Sequence, residues 1–393
     1  MRALYIAFDV FPRAKGSSTH IASMVAALEQ TFGAVELLCL GTPDMPAFQQ
    51  EGHIEIRRFR ERHRNLPARA TAFARFVHHR VRALAGQLSL AVFRDPWGGF
   101  PLLRAQPRCP AIFEVNALPT WELSYSRPAF ASNHALRAKL GDLERRCLRD
   151  AARILCVSSV TRDALIRLGA DPAKIAVIPN EARDVFFTPP AVPSPIPALA
   201  HGDWFGYIGG LQPWQGLDAL IDAYALVAPD HPDSRLLILH SGQDRALRPV
   251  QRAVARRHLE DRVLLHPPLP PDGVAAVLTR LRFTVVPLAD TPRNTLQGCC
   301  PLKMIESMAA ATPVIASDLA VVREWVRDGV EGVLAPPAAT RDWALALDRM
   351  LRHHLLRNRL SQGARRRAAE CFAPVLIRRR LEDQFRSVAE GPA

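Results

Sequence analysis

The stretch from Asn294 to Asp318 reads NTLQGCCPLKMIESMAAATPVIASD and holds the residues whose types and spacing best suit chemistry. Leu-Gln-Gly-Cys-Cys reads as a loop, and Pro301 then suits the first position of a helix, where its missing N–H costs nothing. The free amides and positive dipole end of such a helix make an anion site. Lys303 lies in that first turn, and Glu306 follows three residues later on the same face. Amides and an ammonium would hold phosphate; a carboxylate would accept hydrogen bonds from sugar hydroxyls. Together they suit a nucleoside diphosphate. The same spacing also permits an i,i+3 ion pair on a solvated helix, so spacing alone leaves both readings open.

The elements that must position this helix follow an α/β pattern. Arg2 to Asp9 is a short run rich in β-formers, and a Gly/Ser turn follows it. His20 to Phe32 then carries helix-spaced Ile21, Met24, Val25 and Leu28, and Val35 to Leu40 reads as a strand. Strand, Gly-bearing loop, helix and strand form the unit of a parallel, doubly wound sheet. Strands are predicted at Ala111–Val115, Arg153–Val157 and Ile175–Ile178, with helices at Ala135–Arg149 and from Ser158 or Ser159 as N-cap through Leu168. Residues 188–197, TPPAVPSPIP, hold five prolines in ten positions, which no helix or central strand tolerates. After them the alternation restarts. Strands are predicted at Trp204–Ile208, Arg235–His240, Val263–His266, Phe283–Val286 and Val314–Ala316, each followed by a helical pattern. The reading is therefore a domain over 1–187, a proline-rich hinge over 188–198 and a second domain over 199–373. Ligands in such sheets sit at the carboxyl ends of the strands.

PLKMIESMAAATPVIASD resembles the C-domain signature of glycosyltransferase family 4, the large retaining GT-B family. Val322-Arg323-Glu324 and Gly329-x-x-Gly332 continue the likeness. So do Tyr207-Ile-Gly-Gly-Leu-Gln-Pro-Trp-Gln-Gly216, similar to that family's Gly-x-Leu…Trp-Lys-Gly loop, and Val177-Ile-Pro-Asn180. The resemblance implies two Rossmann-like domains with parallel sheets facing a central cleft, and a last helix, about 374–393, that crosses back to the first domain. It places Glu306 on the donor ribose and Lys303 at the diphosphate, with Gly209 and Gly210 letting the backbone approach the donor. It sets Gly16 and Ser17, in Lys15-Gly-Ser-Ser-Thr-His20, near donor phosphate and acceptor, although Ser17 to Thr19 equally suit an ordinary N-cap. Asn116 fills the slot where many members place a His near the reacting sugar, with Glu114 close by; Glu114 also reads as a polar residue at a strand end. Three slots depart from the family pattern. Gly298 stands where a second glutamate is common, and Gly210 and Gln215 stand where an Arg and a Lys are common. The expectation is that Lys303, with Arg293 from the preceding loop, supplies the positive charge instead.

Arg57 to Arg82 holds nine arginines and one acid, with Phe73, Phe76, Val77 and Val81 interleaved at helical spacing. This reads as a basic amphipathic helix on anionic lipid or as a solvated helix face. The formal net charge of the 393-residue chain is +13, which suggests an anionic partner without choosing one; nearly all of it is arginine, which base composition of a genome also explains. No nucleic-acid module is present, and no GxGxxG follows a strand as in a dinucleotide-dependent dehydrogenase. Seven cysteines without a Cys-x-x-Cys pair or zinc spacing fit a reducing cytoplasm. No apolar run reaches the roughly 18 residues of a membrane span, and Met1 to Val10 is too short for a signal peptide. The expectation is a cytoplasmic enzyme, at the inner face of the membrane if the basic helix binds lipid. It needs no metal and no cofactor beyond a UDP- or GDP-sugar donor. It serves a sugar or lipid-linked sugar acceptor in cell-surface polysaccharide or glycolipid synthesis. A sugar-nucleotide epimerase or hydrolase of the same fold and a basic nucleic-acid-binding protein are the competing classes.

Overall fold

The computed structural model describes residues 2–13, 16–190, 193–241 and 244–391. It divides into two compact units. The first comprises Met1–Pro179, Gln297–Cys299 and Ile377–Ala393; the second comprises Asn180–Leu296 and Cys300–Leu376. The division by compactness thus falls at Pro179, ahead of the proline-rich stretch, of which Ala191 and Val192 lie outside the described residues.

The first unit holds eight strands: β1 (Arg2–Val10), β2 (Val35–Leu40), β3 (Phe48–Glu51), β4 (Ile54–Phe59), β5 (Leu88–Phe93), β6 (Ala111–Val115), β7 (Arg153–Cys156) and β8 (Ile175–Val177). They lie in the order β3-β4-β2-β1-β5-β6-β7-β8. All neighbours are parallel except the β3–β4 hairpin. Ala3 to Ala7 of β1 are fully buried, as a central parallel strand covered on both faces requires. Ile21, Met24, Val25 and Leu28, the positions picked out by helical spacing, are buried on one face. They share that core with Ile377, Leu381, Phe385 and Val388 of the Pro374–Glu390 helix.

The second unit has six strands: β9 (Asp203–Gly209), β10 (Ser234–His240), β11 (Val263–His266), β12 (Thr284–Val286), β13 (Val314–Ser317) and β14 (Gly332–Ala335). The order is β11-β10-β9-β12-β13-β14, parallel throughout. β3, β4, β5 and β14 lie outside the predicted set. β4 is hidden in the run of arginines.

That run does not lie on lipid through its apolar face. Arg57 and Arg58 belong to β4, and the helix spans Leu66–Ala83, capped by Asn65, whose Oδ1 accepts from the Ala68 N–H at 2.9 Å. Ala70, Phe73, Val77 and Val81 are buried in the unit's own core, with the Phe73 ring 5.2 Å from Phe8 and 6.0 Å from Phe59. The apolar stripe is thereby used up within the fold. Two of the run's arginines also pair with a buried carboxylate. Glu36, fully buried in β2, accepts from Arg57 Nε at 2.9 Å and from Arg80 Nη2 at 2.7 Å, and Arg2 Nη1 lies 3.4 Å away. Arg58, also buried, donates to the Phe11 carbonyl at 2.8 Å and the Pro46 carbonyl at 3.2 Å. Among the described residues no helix is long and apolar enough to cross a membrane.

Removing Glu36 leaves three part-exposed arginines close together without their buried counter-charge. The Glu36→Ala variant is therefore expected to lose about 3 kcal/mol of unfolding free energy in urea denaturation. A Glu55→Ala variant, whose carboxylate is partly exposed beside Arg2 and Arg57, should lose much less.

Candidate donor and acceptor sites

In the second unit the helix bearing the predicted residues spans Leu302–Ala309. Pro301 is its N-cap rather than its first residue: its ψ of 111° is extended, and its carbonyl accepts from Met304 N at 3.1 Å and Ile305 N at 3.3 Å. The loop before it is not all irregular, because Arg293–Gln297 form one π-type turn. Asn294 in that turn is buried, and its amide donates to the Trp214 carbonyl at 3.0 Å and the Ala289 carbonyl at 2.8 Å. It thereby ties the loop after β9 to the loop after β12. Arg293 sits with its guanidinium 5.9 Å from the Trp214 ring.

Lys303 extends from the first turn of the helix to the end of β9. Its Nζ donates to Tyr207 Oη at 2.8 Å and to Gln215 Oε1, and it lies 4.1 Å from the Tyr207 ring centroid. Tyr207 is fully buried, its hydroxyl donates to the Gly210 carbonyl, and burial pushes its pKa up. Gly209, at φ +149°, leaves the space that this arm fills: a Cβ there would stand 2.9 Å from Lys303 Cε and Nζ. The room at Gly210 is taken by the Gln212 side chain. Gly209 thus makes room for the lysine, whereas the sequence reading has both glycines make room for the donor. Gln215, the slot where the sequence reading notes a missing lysine, is the residue that Lys303 reaches.

Glu306 is mostly buried, with Arg183 Nη2 3.5 Å from its carboxylate. Burial pushes its carboxyl up to about 7, and the Arg183 charge opposes the shift. Arg183 escaped the sequence reading. It follows Val177-Ile-Pro-Asn180 by three residues, and Asn180 donates to the Cys300 carbonyl at 2.8 Å, but no local spacing pairs it with a helix more than a hundred residues later.

Gly298 explains the missing glutamate. Residues Gln297–Cys299 count with the first unit, where Gly298, at φ +80°, presses on the cap of the Ser159–Arg167 helix. A Cβ would stand 2.7 Å from Thr161 Oγ1 and 2.8 Å from Ser158 Oγ. No side chain fits that slot.

The first-unit residues gather at the carboxyl ends of β1, β5 and β6. Asn116 donates to Glu114 Oε1. Glu114 is buried and accepts from Tyr5 Oη at 2.5 Å and Arg94 Nη1 at 3.1 Å, and His20 Nε2 lies 2.8 Å from it. Burial would raise the Glu114 pKa, but His20, Arg94 and the Tyr5 hydroxyl together hold it down at about 2. Glu114 is therefore the ionised centre of a polar cluster rather than a polar residue at a strand end, and it orients Asn116. Gly16 and Ser17 begin the Gly16–Phe32 helix. There the buried Ser18 hydroxyl accepts from the Arg13 N–H at 2.9 Å. Lys15 lies outside the described residues. No three His, Cys, Asp or Glu side chains among the described residues cluster as a metal site.

Residues 202–353 match the family model described as glycosyl transferases group 1, and residues 15–181 match the one described as glycosyl transferase 4-like domain. The chain belongs to glycosyltransferase family 4. It is 29% identical over 246 residues to a D-inositol 3-phosphate glycosyltransferase of Jonesia denitrificans, covering 60% of this chain and 56% of that one. With the enzyme of the same name from Thermobispora bispora it shares 32% identity over 235 residues, 56% of this chain and 53% of the relative. The chain thus spans about half the length of the curated relatives it matches. Among solved structures it resembles the sucrose-phosphate synthase of Thermosynechococcus elongatus, with a TM-score of 0.80 and 19% identity over 98% of both chains. It also resembles the Anabaena HepE protein in complex with UDP and glucose, with a TM-score of 0.74 and 15% identity over 98% of this chain and 99% of the other. The fold of this family 4 member is therefore GT-B, with two Rossmann-like units.

The raised Glu306 carboxyl has a pH signature. A group whose folded pKa lies above its unfolded value contributes stability at low pH that is lost as pH rises through the folded value. Ligand-free protein should therefore lose stability between about pH 4.5 and 7 relative to Glu306→Gln. Urea midpoints of the two proteins across that range give the difference directly.

Proposed function

We propose that the protein is a retaining glycosyltransferase that moves a sugar from a nucleoside diphosphate, a UDP- or GDP-sugar, to an acceptor hydroxyl. The observation that carries the reading is the Lys303 arm lying in the space left by Gly209, at the carboxyl edge of the second sheet, with Glu306 one turn along the same helix. Names of relatives support it: D-inositol 3-phosphate glycosyltransferases in sequence, and a neighbour solved with UDP-glucose.

In this reading Lys303, the amino end of the Leu302–Ala309 helix and Arg293 bind the diphosphate. The Glu306 carboxylate accepts from the ribose hydroxyls. As the bond from the anomeric carbon to the diphosphate oxygen breaks, negative charge grows on the leaving group, and the fixed cation and amides stabilise it. The acceptor oxygen bonds to the anomeric carbon on the face just vacated, and its proton passes to the departing diphosphate. Asn116, held by Glu114, serves the sugar and acceptor side, together with the Gly16–Ser17 turn. The acceptor class is a sugar or a lipid-linked sugar at the cytoplasmic face of the membrane, as in cell-surface polysaccharide or glycolipid synthesis.

Thermal stabilisation by UDP, GDP, ADP and dTDP tests the donor site. One diphosphate should raise the midpoint by several degrees, and Lys303→Ala should weaken its binding about tenfold or more, the cost of one charge-assisted hydrogen bond. No shift with any of the four, or an unchanged affinity in Lys303→Ala, would refute the donor site. Steady turnover of the sugar nucleotide without any acceptor would instead identify an epimerase or hydrolase.

A further inference from the structure

His240 is the last residue of β10 and is more than nine-tenths buried, and its Nδ1 is buried with no hydrogen-bond partner. A polar atom in that condition costs free energy in the ligand-free protein, and its retention needs a reason. The parallel register supplies one. His240 pairs with Gly209, and Ile238 pairs with Tyr207. Side chains alternate along a strand, and laterally paired residues of adjacent parallel strands emerge on the same face, about 4.8 Å apart. Tyr207 and Gly209 share one face, and the direction of the Gly209 Cβ is where Lys303 Nζ and Tyr207 Oη stand. The His240 imidazole therefore leaves the sheet on the same face, one strand over from the Lys303 ammonium. The backbone beside it is fixed as well, because the Ser241 N–H donates to the Gly209 carbonyl at 3.2 Å.

We infer that His240 is a further donor-binding residue, whose imidazole N–H hydrogen-bonds a phosphate oxygen of the nucleoside diphosphate held by Lys303. The inference rests on the proposed donor site and extends it to a second strand. Lys303 supplies a mobile charge on a long stem, whereas His240 supplies a short, directional donor from the rigid end of β10. Together they span the mouth between β9 and β10 and so set where the diphosphate stops.

The test uses the full chain and titration calorimetry with the diphosphate that stabilises it best, alongside the nucleoside of the same base. The His240→Leu variant keeps the volume and removes both ring nitrogens. It should bind the diphosphate about tenfold or more weakly and bind the nucleoside as the wild type does. Without ligand it should melt at the wild-type temperature or above it, because the unpaired buried nitrogen is gone. The His240→Asn variant, whose amide can donate from near the Nδ1 position, should recover part of the affinity and provides a second measurement if the leucine variant folds poorly. Diphosphate affinity unchanged in both variants, while Lys303→Ala binds weakly, overturns this inference alone. Equal losses for diphosphate and nucleoside also overturn it, since His240 would then act on the base. A wild-type chain that binds none of the diphosphates overturns the donor site and this inference with it.

Discussion

The second unit is organised around one lysine arm. Lys303 can cross from its helix to the end of β9 only because residue 209 has no side chain, and it stays there because Tyr207 and Gln215 receive it. That placement dictates much of the local sequence. Tyr207 must be buried two residues before the glycine so that its hydroxyl stands at the same height. The loop after β9 must bring Gln215 back, and Asn294 clamps that loop by its Trp214 carbonyl.

The same economy of charge separates the two ends of the first sheet. Near the amino ends of β1, β2 and β4, Arg2, Arg57 and Arg80 are drawn onto buried Glu36. Two arginines of the basic run that suggests a membrane, Arg57 and Arg80, serve as internal counter-ions. Near the carboxyl ends, Glu114 collects Tyr5, His20, Arg94 and Asn116. Both clusters centre on a buried carboxylate. The first staples strands together, and the second fixes side chains at the edge where doubly wound sheets bind ligands.

The departures from the family pattern become physical once Gly298 is placed. The glutamate expected there has no room, because the backbone at φ +80° is pressed against the Ser158 cap. Glu306 stands without that second carboxylate, its carboxyl pushed up to about 7 by burial against the opposing charge of Arg183.

The sequence by itself determined most of the alternation of strands and helices, the buried face of the helix that carries Ile21, Met24, Val25 and Leu28, and the shared face of Lys303 and Glu306. These follow from periodicity and helix geometry, which act over a few residues and are legible locally. Of the four unread strands, β4 was masked by the arginines it carries. Only the tertiary structure decided what each charged group meets. Lys303 finds Tyr207 and Gln215 at separations of 96 and 88 residues, Arg80 finds Glu36 at 44, and His240 stands beside Gly209 through strand register. Strand order and register set those meetings, and both are fixed by packing two faces of a sheet at once, a constraint that no short window of sequence contains.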